Sequence, residues 1–124
     1  MATSRINGFN VMGPYVNSNV TISPTEAVVA SVAIPESGVY IARVNILYLY
    51  SNELRGGANF TDNTDIVYLN KPWSHYISCP NGGYKTLEFT DILRTKKDNV
   101  TLSLKADTSV SLSAAISIEL ARLQ

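Results

Sequence analysis

The dominant spacing of apolar residues along the chain is two, the period of a strand with one buried face, not the 3.6 of a helix. The clearest run covers residues 38–50, where Tyr40, Ala42, Val44, Ile46, Tyr48 and Tyr50 alternate with Val39, Ile41, Arg43, Asn45, Leu47 and Leu49. The first set reads as core. The second is mixed, and Leu47 and Leu49 make it too apolar for water alone, which points to a second buried surface such as a subunit contact. Pro35-Glu36-Ser37-Gly38 reads as the turn that leads in. Near the C-terminus, Leu112, Ala114, Ile116, Ile118 and Leu120 form a core face, and Ser111, Ser113, Ala115, Ser117 and Glu119 a stripe of mostly small residues. Val100, Leu102, Leu104 and Ala106 precede them across Asp107-Thr108-Ser109, as the other half of an antiparallel hairpin. Val28, Ala30, Val32 and Ile34 form another alternating run, and Leu87 and Phe89 mark the core positions of a short strand. Weaker strands are expected around 20–23, 54–60, 66–70 and 74–79.

Chain breakers separate these runs: Gly13-Pro14, Ser23-Pro24, Gly56-Gly57, Lys71-Pro72, Cys79-Pro80-Asn81-Gly82-Gly83 and Lys96-Lys97-Asp98-Asn99. Some eight to ten short strands at this spacing predict an all-β chain folded as an antiparallel jelly-roll sandwich. Asp91-Ile92-Leu93-Arg94-Thr95 could make one helical turn at most. Repeats, linkers and low-complexity tracts are absent, so the reading is a single domain over 1–124, with 1–19 open to reading as an extended N-terminal arm.

The order of signals carries a resemblance. A strand ends in Ile34-Pro35-Glu36-Ser37-Gly38-Val39-Tyr40 before the long central run. A glycine- and asparagine-rich middle follows, then Thr86-Leu87-Glu88-Phe89-Thr90-Asp91-Ile92-Leu93 leads into Lys97-Asp98-Asn99-Val100-Thr101-Leu102. The chain closes on Ile118-Glu119-Leu120-Ala121-Arg122-Leu123. Over residues 25–123 this resembles the C1q/TNF-like jelly-roll family, including small heads of phage fibres and baseplates. The late turn reads Lys97-Asp98-Asn99 where that family commonly has a glycine. The resemblance implies a homotrimer that binds host surface carbohydrate or protein. The two-sided strands give trimerisation an independent motive, because apolar area costs about 25 cal/mol per Å² to leave wet. Leu47, Leu49, Ser111, Ser113, Ala115 and Ser117 are the candidate interface residues.

Composition narrows the function classes. The chain has 124 residues, with ten basic side chains balancing ten acidic ones. That balance argues against a nucleic-acid or anionic-lipid partner. At 45% hydrophobic residues a packed core is within reach, while only 16% charged residues leave Ser, Thr and Asn to supply the polar surface. This profile suits an extracellular or virion protein. One cysteine, Cys79, and one histidine, His75, exclude a disulfide framework and a multi-histidine metal centre. The first residues carry no apolar core of a secretory signal, and no apolar run approaches the ~20 residues of a membrane span. The expected location is therefore a virion or extracellular surface reached without a visible signal.

The densest chemistry lies in 62–85, which holds the only Trp and the only His. Trp73 flanked by Tyr and amide side chains fits a platform for a sugar ring, whose C–H face packs on an aromatic while its hydroxyls pair with Asn or Asp; equally, Trp73 could fill the core. Asn70, Asp65, His75 and Tyr76 complete the candidate ligand-binding set. His75 also reads as a satisfied structural histidine, since no nucleophile and supporting carboxylate accompany it in the spacing. Asp62 and Asp65 could approach calcium, but the oxygen pattern and glycine of an EF-hand loop are missing, and a solvated turn is the simpler reading. Cys79 before Pro80 reads as a small buried hydrophobe. Three Asn-x-Thr sequons, at Asn19, Asn59 and Asn99, are expected by chance in this composition.

The expectation is thus a non-enzymatic trimeric binding module, with no catalytic residues, metal or cofactor. Its partners are further copies of itself, a host surface glycan or protein, and other virion proteins. The alternative is a structural virion component, a capsid decoration or fibre-assembly protein without a ligand. A small hydrolase using His75 is the third class.

Overall fold

The computed structural model describes residues 3–6, 9–50, 54–69, 75–79 and 83–123, and these form ten strands and no helix. The strands are β1 (Thr3–Ile6), β2 (Phe9–Ile22), β3 (Ala27–Ile34), β4 (Gly38–Tyr50), β5 (Leu54–Phe60), β6 (Ile66–Tyr68), β7 (His75–Cys79), β8 (Gly83–Thr95), β9 (Val100–Thr108) and β10 (Leu112–Arg122). They pair antiparallel in two sheets, one ordered β1-β2-β10-β4-β8-β6 and the other β3-β9-β5-β7. From β2 onward every connection crosses from one sheet to the other. With β1 and β6 set aside as edge additions, β2-β10-β4-β8 stacked on β3-β9-β5-β7 is the jelly-roll arrangement.

The core lies between the sheets and is built from the inward residues that the alternation marks. Tyr40, Ala42, Val44, Ile46 and Tyr48 of β4 are buried, as are Leu112, Ala114, Ile116, Ile118 and Leu120 of β10. Val100, Leu102, Leu104 and Ala106 of β9 close on them from the other sheet. Each fully buried Val, Leu or Ile here contributes about 1.5–3 kcal/mol.

The departures from simple alternation have local causes. In β3 the pairing with β9 shifts register between Val28 and Ala30, so Val29 is buried and Val28 is 56% exposed. Residues 91–95, read from sequence as a possible helical turn, are the last five residues of β8, with Asp91, Leu93 and Thr95 turned inward. Gly56-Gly57 lies inside β5 and does not break it. A Cβ on Gly56 would stand 2.1 Å from the Asp107 carbonyl oxygen, so the strand uses glycine to let β9 approach. Gly13-Pro14 likewise sits within β2, where Gly13 takes φ +97° at a register shift against β10. In the turn before β9, Asn99 adopts φ 59°, the left-handed conformation a glycine commonly supplies and asparagine tolerates. Asn99 N–H donates to the Pro35 carbonyl, and Ser37 N–H donates to the Asp98 carboxylate, which ties this turn to the one opening β4.

Candidate functional site

Two surfaces concentrate features that the core does not explain. The first is the outer face of the six-stranded sheet. Register places Ala115, Leu47 and Thr86 in one row across β10, β4 and β8, with Ser117, Asn45 and Glu88 in the next-but-one position along the strands. Leu47 is 44% exposed, Ser111 and Ser113 are exposed, and Ala115 and Ser117 are half-buried. Leu49 pairs with Tyr84, and its side chain lies outside the described residues. A charged row, Glu119–Arg43–Thr90, follows.

Beyond it the face turns aliphatic. Ala121, Ile41 and Ile92 are register partners and only half-buried, and exposed Leu69 adjoins them through its N–H to the Ile92 carbonyl. Leu123, Val39 and Val67 flank Arg94 in the next row. Sequence reading placed Val39 and Ile41 on a mixed face. It missed the rest of this patch, because Ile92, Ala121 and Leu123 converge only once the strand order is known.

The second surface is the sandwich edge at β5–β8. His75 is opposite Ala58 in the β5–β7 register and therefore faces inward. Its ring stacks on Phe89 at 3.7 Å between centroids, 11° from parallel, and its Nε2 lies 3.2 Å from Asp91 Oδ1. Asp91 is 1% exposed, and its Oδ2 has no hydrogen-bond partner among the described residues. Phe89 meets Phe60 edge to face, and Phe60 stacks on Tyr68. The Tyr68 hydroxyl donates to the Thr61 carbonyl at 2.8 Å. Burial, reinforced by the Asp91 and Asp62 carboxylates, pushes the Tyr68 phenol well above its ordinary value.

Residues 61–65 cap this aromatic row. Asn63 Oδ1 accepts from Asp65 N–H, its carbonyl accepts from Ile66 N–H, and its Nδ2 donates to the Thr101 carbonyl. Asp65 is ion-paired with Lys97 at 3.3 Å, and its carbonyl accepts from Lys96 N–H. A groove of about 290 Å³ opens between the loop and β6, lined by Asp62, Asn63, Thr64, Ile66 and Tyr68.

The candidate ligand set does not converge on one point here. Asp65 precedes Ile66, which pairs with Thr95. Thr95 stands four residues along β8 from the partner of His75, about 13 Å of strand. Tyr76 is at register with Gly57, with its side chain outside the described residues, and Asn70, Trp73 and Cys79 Sγ lie outside them altogether. His75 is bonded and stacked, with 28% of its side chain exposed. Among the described residues no group of three His, Cys, Asp or Glu side chains could hold a metal, and no helix is long and apolar enough to cross a membrane.

No family model matches the chain, and neither does any curated protein. Solved structures that share a likeness with it include two carbohydrate-binding modules. One is a carbohydrate-binding module (CBM6cm-2) from Cellvibrio mixtus lichenase 5A in complex with cellotriose. The identity is 17% and the TM-score 0.33, over 94% of this chain and 82% of that one. The other is the C-terminal CBM6 of LamC, a marine laminarinase from Zobellia galactanivorans, at 15% identity and TM-score 0.33, over 98% and 86%. At this level the likeness carries no argument about what the present chain binds.

Proposed function

We propose that the chain is a non-enzymatic, trimeric binding module, displayed on a phage or bacterial surface structure and recognising host carbohydrate or protein. The observation that carries the self-association is the aliphatic end of the outer face, where Val39, Ile41, Leu69, Ile92, Ala121 and Leu123 lie together at the surface. The four long strands β2, β10, β4 and β8 at about 4.8 Å spacing, over nine paired residues at about 3.4 Å, span roughly 600 Å². That is at the lower end of the ~800 Å² per partner of a standard stable interface. The neighbouring Glu119–Arg43 row gives such a contact a fixed register, since opposite charges of the two copies pair only in one alignment. The resemblance to C1q/TNF-like domains supports three as the copy number and surface display as the setting.

Light scattering on the full chain tests this reading. Three times the chain mass is expected, with Ile41→Asp and Ile92→Asp reducing it to one; a wild-type monomer at micromolar concentration overturns it. Retention of the assembled protein on host cells or a glycan array tests recognition. Co-purification with particles, and no retention on either, favours a purely structural virion component.

A further inference from the structure

On the outer face of the larger sheet the two central strands present unlike columns. β4 turns Ile41, Arg43, Asn45 and Leu47 outward, and β10 sets Ala121, Glu119, Ser117 and Ala115 beside them, row for row. In three of the four rows a larger side chain stands beside a small one. In the fourth a cation stands beside a carboxylate. Leu47 and Arg43 are exposed while the four β10 residues are half-buried, so the face is a ridge next to a trough. Arg43 and Glu119 are direct ladder partners, yet neither makes an ion pair or a side-chain hydrogen bond among the described residues. Both groups therefore keep bonding capacity for a partner from outside.

A rotation about an axis parallel to the strands leaves every residue at its own height along that axis. An axis that runs between β4 and β10 thus sets the ridge of one copy against the trough of the next, with the same rows still opposite. Leu47 then seats on the next copy's Ala115, Ile41 on its Ala121, and Arg43 meets its Glu119. An axis lying across the strands at the Arg43 row does the reverse. It lays Arg43 on Arg43 and Glu119 on Glu119, which like-charge repulsion disfavours.

We infer that this face joins copies of the chain about an axis parallel to the strands, with Arg43 of each copy paired to Glu119 of the next. This rests on the self-association proposed above and names the residues that fix its geometry.

The occupant of the face is a second copy because the face complements itself. Its bulky and small columns have the same length and the same spacing, so one copy supplies the shape that the other lacks. Its one cation and one carboxylate cancel, so an acidic partner has no use for Glu119 and a basic partner none for Arg43. The aliphatic rows beyond Arg43 continue the same surface and add apolar area to the contact.

The test is sedimentation velocity on the full chain and on charge-reversed variants. Arg43→Glu and Glu119→Arg are each expected to weaken assembly by on the order of a hundredfold or more, leaving monomer where the parent is assembled. Both side chains point away from the core, and far-ultraviolet circular dichroism checks that the variants fold. The two reversals in one chain are expected to restore assembly. Since the two residues are also neighbours within a chain, mixing the single variants separates a contact between chains from a contact within one. Each single variant keeps its own like-charged pair, and opposite charges meet only between unlike chains. The equimolar mixture is expected to assemble where neither variant does alone. The inference is overturned if the single variants assemble like the parent, or if their mixture stays monomeric; either result leaves a self-associating parent standing. A parent that is itself a monomer overturns the self-association and this pairing with it, and leaves the face to a partner of another kind.

Discussion

Asp91 is the residue that a core of this kind tolerates least. A carboxylate 1% exposed beside Ala42 must be compensated, and His75 is its one hydrogen-bond partner among the described residues. His75→Ala leaves the charge buried and unpaired, and is expected to lower unfolding free energy by about 3–5 kcal/mol. His75→Ala with Asp91→Leu removes the charge with its partner and is expected to recover most of that loss, because an apolar pair replaces a buried polar one at little net cost. Urea midpoints of the parent, the single and the double variant check this. An equal loss in both variants shows that the stacking of His75 on Phe89, and not the carboxylate, is what the histidine protects. This pair was only half legible in the sequence. That His75 would be satisfied followed from the missing nucleophile and carboxylate around it. Its partner could not be named, because Asp91 sits 16 residues away on the facing sheet. Asn99 shows the converse: its departure from the usual glycine was visible, and its φ of 59° shows why asparagine can stand there.

Among the elements, the long strands were readable because each has one fully buried face, so the period of two survives along β4, β9 and β10. It fails where the backbone is irregular or the inward residue is polar. Register shifts at Val28/Ala30 and within β2 move the apolar residue by one place. Inward Asp91 and Thr95 disguised the end of β8 as a turn. Gly56-Gly57 was misread for a different reason: glycine marks a turn or a close approach, and only the pairing with Thr108 and Asp107 distinguishes them. The pairing also makes the position unforgiving. Gly56→Ala places a methyl group 2.1 Å from the Asp107 carbonyl oxygen and 2.8 Å from the Thr108 Cα, both backbone atoms that cannot rotate away. β5 must separate from β9, at an expected cost of about 1–3 kcal/mol. Thermal unfolding checks the loss. Amide exchange locates it: faster exchange confined to β5 and β9 is expected, and an unchanged stability shows that the strands have slack the geometry denies.

At the scale of the whole molecule, the aromatic row from His75 through Phe89 and Phe60 to Tyr68 joins both sheets, so opening any part of it exposes the one core. Jelly-roll stacking was legible in the order of runs and turns; that His75, Phe89, Phe60 and Tyr68 would meet at this one edge was not, since it depends on β6 joining the larger sheet while β7 joins the smaller. The row makes stability sensitive to alkali. The Tyr68 phenol, raised above its ordinary value of 10.0 by burial first and by Asp91 and Asp62 second, keeps its proton in the fold after the unfolded chain has lost it. Below pH 10 both states hold the proton and the contribution is fully present. Above it the unfolded state binds fewer protons, so stability falls, by up to about 1.4 kcal/mol per pH unit, until the folded phenol itself ionises. Tyr15 and Tyr40, raised by burial in the same direction, steepen the fall. Tyr68→Phe gives up the hydrogen bond to Thr61 and starts about 1 kcal/mol less stable near neutrality. It titrates one phenol fewer, so its urea midpoints should decline less steeply between about pH 9 and 11 and approach those of the parent. Parallel declines for the two proteins place the alkaline loss in other groups and leave Tyr68 with no part in it.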